Sequence, residues 1–351
     1  MNTLSLNLKN ALIASSIAGT LLIGTTAQAA TWTIWTNGSG DGQWENAANW
    51  SQGNIPDSGD APIVGRLSTA GPANASTGTY VVDYLRVGME GSQGNGTLNV
   101  SGADISSGVT PTRVGVGFGS GNVGIINLSG GALRFLSSNS TAASIGTDSG
   151  SGTVNQTGGT FSFAGGNGTS VNMGSNNGTG LYNFTAGTLE VREAFNMTTG
   201  GSGSTVFHVD GYDAGSSIQI GGTADDYNGA WLQGAGTTLS VSIDGSTTEG
   251  STLISVGEGT NGSSSAQAVF ESGSLLDLDF NSGEQSGTWT ILSAAAGIID
   301  NGLAFAEGVD TDVWSFAIVG NDLQVTAVPE PSAFALIMGG SVLLTLGRRR
   351  R

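Results

Sequence analysis

The chain contains no cysteine, one histidine and one lysine. Without cysteine there are no disulfides, and with a single histidine the usual zinc ligand sets are missing too. His208 stands alone in a strand-like run and reads as a side chain on a repeat face rather than as a general base. No G-x-S-x-G occurs, which removes the hydrolase nucleophile elbow. These absences point away from an enzyme. Positive charge is scarce as well. Lys9 and Arg348, Arg349, Arg350 and Arg351 stand at the two ends, leaving Arg66, Arg86, Arg113, Arg134 and Arg192 for residues 30–327. Against 26 acidic residues there, the net charge of this body is −21. Such a surface repels nucleic acid and anionic lipid, and it attracts divalent cations.

Glycine is what the chain has in plenty, 60 of its 351 residues. No Gly-X-Y period exists, so a collagen helix is excluded. A composition rich in Gly, Ser, Thr and Asn is also that of disordered chains. The order of the apolar residues argues otherwise. Four segments align without gaps, opening at Gly96, Gly124, Gly152 and Gly180, 28 residues apart. Asn99, Asn127, Asn155 and Asn183 keep the same step, as do Ser101, Ser129, Thr157 and Thr185. An apolar-x-Gly strand precedes each unit, as in Leu85-Arg86-Val87-Gly88 and Ser144-Ile145-Gly146. Self-similarity at this period marks a repeat architecture.

Within each unit apolar and polar residues alternate, as in Leu98-Asn99-Val100, between Gly-rich turns. That pattern predicts short strands, about three to a coil of a right-handed parallel β-solenoid. Coils stack at about 4.8 Å, so the four asparagines form an amide ladder in which each side chain donates to the next coil. The repeat decays after Thr198, although Ser204 to Gly211 reads as a fifth coil. The expected organisation is a signal segment (1–29), a Trp-rich N-terminal β cap (30–80) and solenoid repeats (81–217). Irregular β coils with a C-terminal β cap (218–327) and a terminal segment (328–351) complete it. Both end segments are expected to be helical.

The two ends read as addresses. Lys9, an apolar stretch from Ala11 to Gly24, and the A-x-A site Ala27-Gln28-Ala29 make a secretory signal peptide, cleaved after Ala29. The Sec translocon and signal peptidase are its implied partners. The C-terminus reads Val328-Pro329-Glu330-Pro331, an apolar run from Ala333 to Leu346, then Arg348 to Arg351. The run's 14 helical residues span about 21 Å, short of roughly 30 Å of bilayer hydrocarbon, and the arginines hold its end on the cytoplasmic side. Insertion of this tail in the inner membrane is therefore expected to be transient. Pro329-Glu330-Pro331, the apolar run and the Arg cluster resemble the PEP-CTERM sorting signal of Gram-negative envelopes. The resemblance implies an exosortase, a transpeptidase-like membrane enzyme that removes the tail near Pro-Glu-Pro. The segment W-x-x-A-A-N-W-S-x-G-x-x-P from Trp44 to Pro56 resembles the opening of many bacterial repeat-bearing surface proteins. The strand–Gly-Gly–strand units are similar to autotransporter-associated β-strand repeats.

Few residues suggest binding chemistry. Trp32, Trp35, Trp44 and Trp50 can stack on sugar rings or bury the first coil. Asp277 and Asp279, and Asp310 and Asp312, each place two carboxylates on one face if the runs are strands, where calcium could bind. No other cofactor is indicated. Gly119-x-Gly121-x-x-Gly124 matches a dinucleotide fingerprint, but a β run follows where the fingerprint needs a helix. The sequence reads as an exported envelope or extracellular-matrix protein with a structural or adhesive role. A surface protein binding exopolysaccharide through the N-terminal aromatics is the alternative. A polysaccharide lyase or hydrolase comes third, on fold analogy.

Overall fold

The computed structural model describes residues 30–328, except 68, 90–93, 108–113, 137–142, 164–169, 199–200, 202, 211–215, 222–229, 245–246, 248–251, 258–265 and 282–285. The fold is all-β, a parallel β-solenoid of about eight turns. Among the described residues the helical content is one 3-10 turn, Ala47–Asn49.

Each regular coil carries three short strands, as Val114–Phe118, Val123–Leu128 and Ala132–Arg134 do in one turn. Stacked coils then build three faces. The first is a ten-stranded sheet running from Thr31–Ile34 to Ile298–Asp300. The second runs from Ala73–Ala75 through Val123–Leu128 to Ala304–Phe305, and the third from Thr79–Val82 through Ala132–Arg134 to Gly287–Ala294. In two coils the second and third faces are one long bent strand, Ser151–Phe163 and Thr179–Val191. At the C-terminal end the pairing changes sense. Asp322–Ala327 pairs antiparallel with both Gly287–Ala294 and Trp314–Val319.

The repeat in the sequence is the register of the sheet. Gly96, Gly124, Gly152 and Gly180 are cross-strand partners, and so are Asn99, Asn127, Asn155 and Asn183. The fifth coil joins them, with His208 opposite Asn183. Parallel pairing extends beyond the 28-residue register in both directions. Asn74 lies opposite Asn99, Ser240 opposite His208 and Asp277 opposite Ser240.

Alternation places every second side chain inside. Leu98, Ile126, Val154, Tyr182, Phe207, Leu239 and Leu276 form one buried column, and Leu128 sits in the column beside it. Fully burying such a side chain contributes about 1.5–3 kcal/mol, so a coil's stability comes mainly from these stacks. The core thickens with aromatics toward the fifth coil, where Phe195 and Trp231 stack with ring centroids 5.2 Å apart.

Two glycines per coil are required by a close approach at the corner between the first and second faces. Gly88, at φ +67°, would drive a Cβ into the Val123 carbonyl, while a Cβ on Gly124 would meet the Val87 carbonyl and the Gly117 nitrogen. This explains the paired glycine signals of the repeat, one closing a strand and one opening the next.

Candidate functional site

The longest organised polar feature is an outward column on the second face. Nδ2 of Asn99, Asn127, Asn155 and Asn183 each donates, at 2.7 Å, to Oδ1 of the asparagine one coil earlier, beginning with Asn74. Donation thus runs toward the preceding coil, opposite to the sense expected from the sequence. The chain of donors ends on the Gly42 carbonyl, which accepts from Asn74 Nδ2 at 2.9 Å. Asn74 escaped the gap-free alignment because it precedes Asn99 by 25 residues.

Beyond Asn183 the column changes chemistry. Ser240 Oγ donates to Asp277 Oδ2 at 3.0 Å, and His208 Nδ1 lies 3.0 Å from Ser240 Oγ. One hydroxyl has one proton, so Nδ1 must carry the hydrogen that Ser240 accepts. The order is therefore His208 to Ser240 to Asp277. A nucleophilic serine needs the reverse, its own proton directed to the imidazole. With Ser240 donating to Asp277, its proton is directed away from the ring.

Asp277 and Asp279 do share an outward strand face, two residues apart on Leu275–Phe280. Asp310 and Asp312 do not, because the chain there is a turn that the Asp310 carboxylate itself shapes by accepting from the Asp312 amide at 2.9 Å. Among the described residues no three His, Cys, Asp or Glu side chains gather into a metal-binding group. Gly119 and Gly121 form a tight turn with positive φ that leads directly into the Val123–Leu128 strand.

The N-terminal tryptophans divide into two groups. Trp35, Trp44 and Trp50 are buried and interlocked edge to face, with centroid distances of 5.1 and 4.6 Å. Their indoles serve packing and donate to the Gly71 and Trp44 carbonyls in two cases. Of the two roles the sequence allowed, these three bury the first coil and are out of reach of a sugar, so sugar contact is left to Trp32. Trp32 alone of the four is exposed, at 40%. The Arg86 guanidinium lies 4.0 Å over its ring, and Tyr84 stands 6.3 Å away.

A surface recess of about 470 Å³ lies beside the buried tryptophans, lined by Asp41, Gln43, Glu45, Asn46, Ala47, Ser76 and Thr77. One of its acids is fully engaged, while the other, Glu45, keeps Oε2 buried without a hydrogen-bond partner. The Asp41 carboxylate accepts from Asn46 Nδ2, from the Gln43 amide and from Asn49 Nδ2, and these donors hold it well below the ordinary carboxylate range. Glu45 Oε1 accepts from the Ser76 and Thr77 amides at 2.7 and 2.8 Å, tying the N-terminal segment to the first turn between the second and third faces. Burial, with a smaller contribution from the charge of Glu45, raises the Tyr80 hydroxyl nearby.

Ala27, Ala29, Pro329, Glu330, Pro331 and Arg348 to Arg351 lie outside the described residues. No family model, curated protein or solved structure matches the chain.

Proposed function

We propose that the chain is an exported, non-enzymatic protein of the bacterial envelope or extracellular matrix, in which the solenoid is a structural or adhesive rod. The observation that carries this reading is the uninterrupted outward column from Asn74 to Asp277, eight residues in consecutive coils. Stacked at about 4.8 Å, such coils give a rod roughly 40 Å long with a flat polar face, suited to spacing and lateral contact. The polar atoms of that face and of the N-terminal recess are largely bonded to one another. A catalytic site instead keeps convergent groups free for a substrate.

In this reading the winding is right-handed, and the tryptophan-rich start and the antiparallel hairpin at the end act as caps. The signal peptide directs Sec export. The Pro329-Glu330-Pro331 tail inserts transiently in the inner membrane for exosortase processing. Immunodetection of the solenoid in fractionated producer cells tests the placement. The reading expects it in envelope or matrix fractions, and confinement to the cytoplasm rejects it.

One observation favours a second reading, binding of exopolysaccharide. Trp32 leaves much of its ring open while Arg86 stacks on it, and an exposed indole beside a tyrosine suits a sugar ring. Co-sedimentation with the producer's own polysaccharide, lost in Trp32→Ala, is the expected outcome. Equal co-sedimentation of Trp32→Ala excludes that platform.

A further inference from the structure

We infer that the Trp314–Val319 strand is a pairing edge for a second copy of this chain, joined antiparallel across a two-fold axis. The strand is bonded to Asp322–Ala327 on one side, and among the described residues it has no strand partner on the other. Its turn is the two-residue Gly320–Asn321, so Val319 and Asp322 exchange hydrogen bonds. By alternation Ser315, Ala317 and Val319 turn their amides and carbonyls toward Asp322–Ala327, and Phe316 and Ile318 turn theirs away. The Trp314 amide, which bonds outside the hairpin to the Asp310 carbonyl at 2.8 Å, fits the same alternation.

The opposite end of the molecule is treated differently. Along the first strand, the amide and carbonyl of Ile34 are taken by Ser51 at 3.0 and 2.9 Å, and the Trp32 carbonyl accepts from Gln52 Nε2 at 3.1 Å. That outer edge is blocked by its own chain. Among the described residues the Trp314–Val319 edge has no such block. Its sequence, WSFAIV, contains no charge, no proline and no glycine, in a body whose net charge is −21.

A second copy fits the edge by its own symmetry. With Ala317 opposite Ala317 on the axis, Phe316 of each copy exchanges two bonds with Ile318 of the other, satisfying all four outward groups. The contact is closed, so it yields a dimer and not a fibre. Each body carries a net charge of −21, which opposes the approach of two copies. Association should therefore strengthen as salt rises.

Sedimentation equilibrium of the purified full chain, dispersed in mild detergent, tests this with four variants whose fold is checked by circular dichroism. Wild type should show a monomer–dimer equilibrium that tightens with sodium chloride. Ala317→Lys and Ala317→Glu each set like charges opposite one another and should both weaken the dimer about fivefold. Ile318→Pro removes an outward amide and should abolish it, while Val81→Lys, an exposed site elsewhere, should change nothing. A monomer at every concentration overturns the inference. So does a dimer that survives Ile318→Pro in a folded protein, since its contact lies elsewhere. Tightening by Lys with weakening by Glu would show that net charge alone is at work. If Ile318→Pro fails to fold, the two Ala317 variants decide.

Discussion

At the scale of single residues, the structure uses polar side chains chiefly to satisfy one another. Asp41 is the clearest case. It is an exposed carboxylate with several donors converging on it, and so it remains ionised where an ordinary aspartate would protonate. A carboxyl whose folded pKa is depressed adds stability above its unfolded value and loses it as pH falls toward the folded one. Asp41→Asn should therefore be less stable than wild type at pH 7. That gap should close as pH falls below about 3.8, the ordinary value for the group. Thermal melts of both proteins from neutral to acid pH check this. A gap that stays constant across the range would show that the carboxylate's charge is not what holds the loop.

Asp41 was not visible in the sequence as an organising residue, because its donors Asn46 and Asn49 act through a turn that no periodicity announces. Burial of the first coil was one of two roles the sequence allowed the tryptophans, and Trp35, Trp44 and Trp50 take it. Composition says that aromatics are there but not which side they face, and only Trp32 kept an open ring.

At the scale of the strand and the coil, the sequence was far more legible. Gaps of 28 residues between the glycines became cross-strand partners without a slip, since a one-residue shift would turn every core side chain outward. The inward position of Leu128 followed from alternation alone. The column was legible as far as His208 in the fifth coil but not beyond it, because the coil length changes to 32 and then 37 residues while the register persists. Whether Asp310 and Asp312 lie on a strand was not decidable from the pattern either. A D-x-D pattern has the period of a strand, but Asp310 also favours the turn it makes.

Core and ladder should respond differently to substitution. Leu128→Asp places an unpaired charge among buried apolar side chains and should cost several kcal/mol. Asn155→Ala breaks two ladder bonds at a part-exposed site, where water can replace them, and should cost only about 1 kcal/mol. Denaturant unfolding of both variants measures the difference. Equal losses would mean that the amide ladder, and not the apolar stack, sets the stability of a coil.

At the scale of the whole molecule, charge governs association. A body of net charge −21 repels its own copies, and either screening or bridging relieves that repulsion. Calcium can take oxygens from two chains at once, and the outward pair Asp277 and Asp279 offers them. Millimolar calcium should therefore raise light scattering beyond sodium chloride at matched ionic strength. Equal responses would leave screening alone, and no response to either would favour a solitary binding module over a matrix protein.

In the function proposed above, export and tail removal make this rod an envelope or matrix component, and intact-mass analysis of the protein recovered from the producer's envelope tests them most directly. A mass for a chain beginning near Ala30 and ending near Pro329 is the result expected. A full-length mass that retains Arg348 to Arg351 would contradict it.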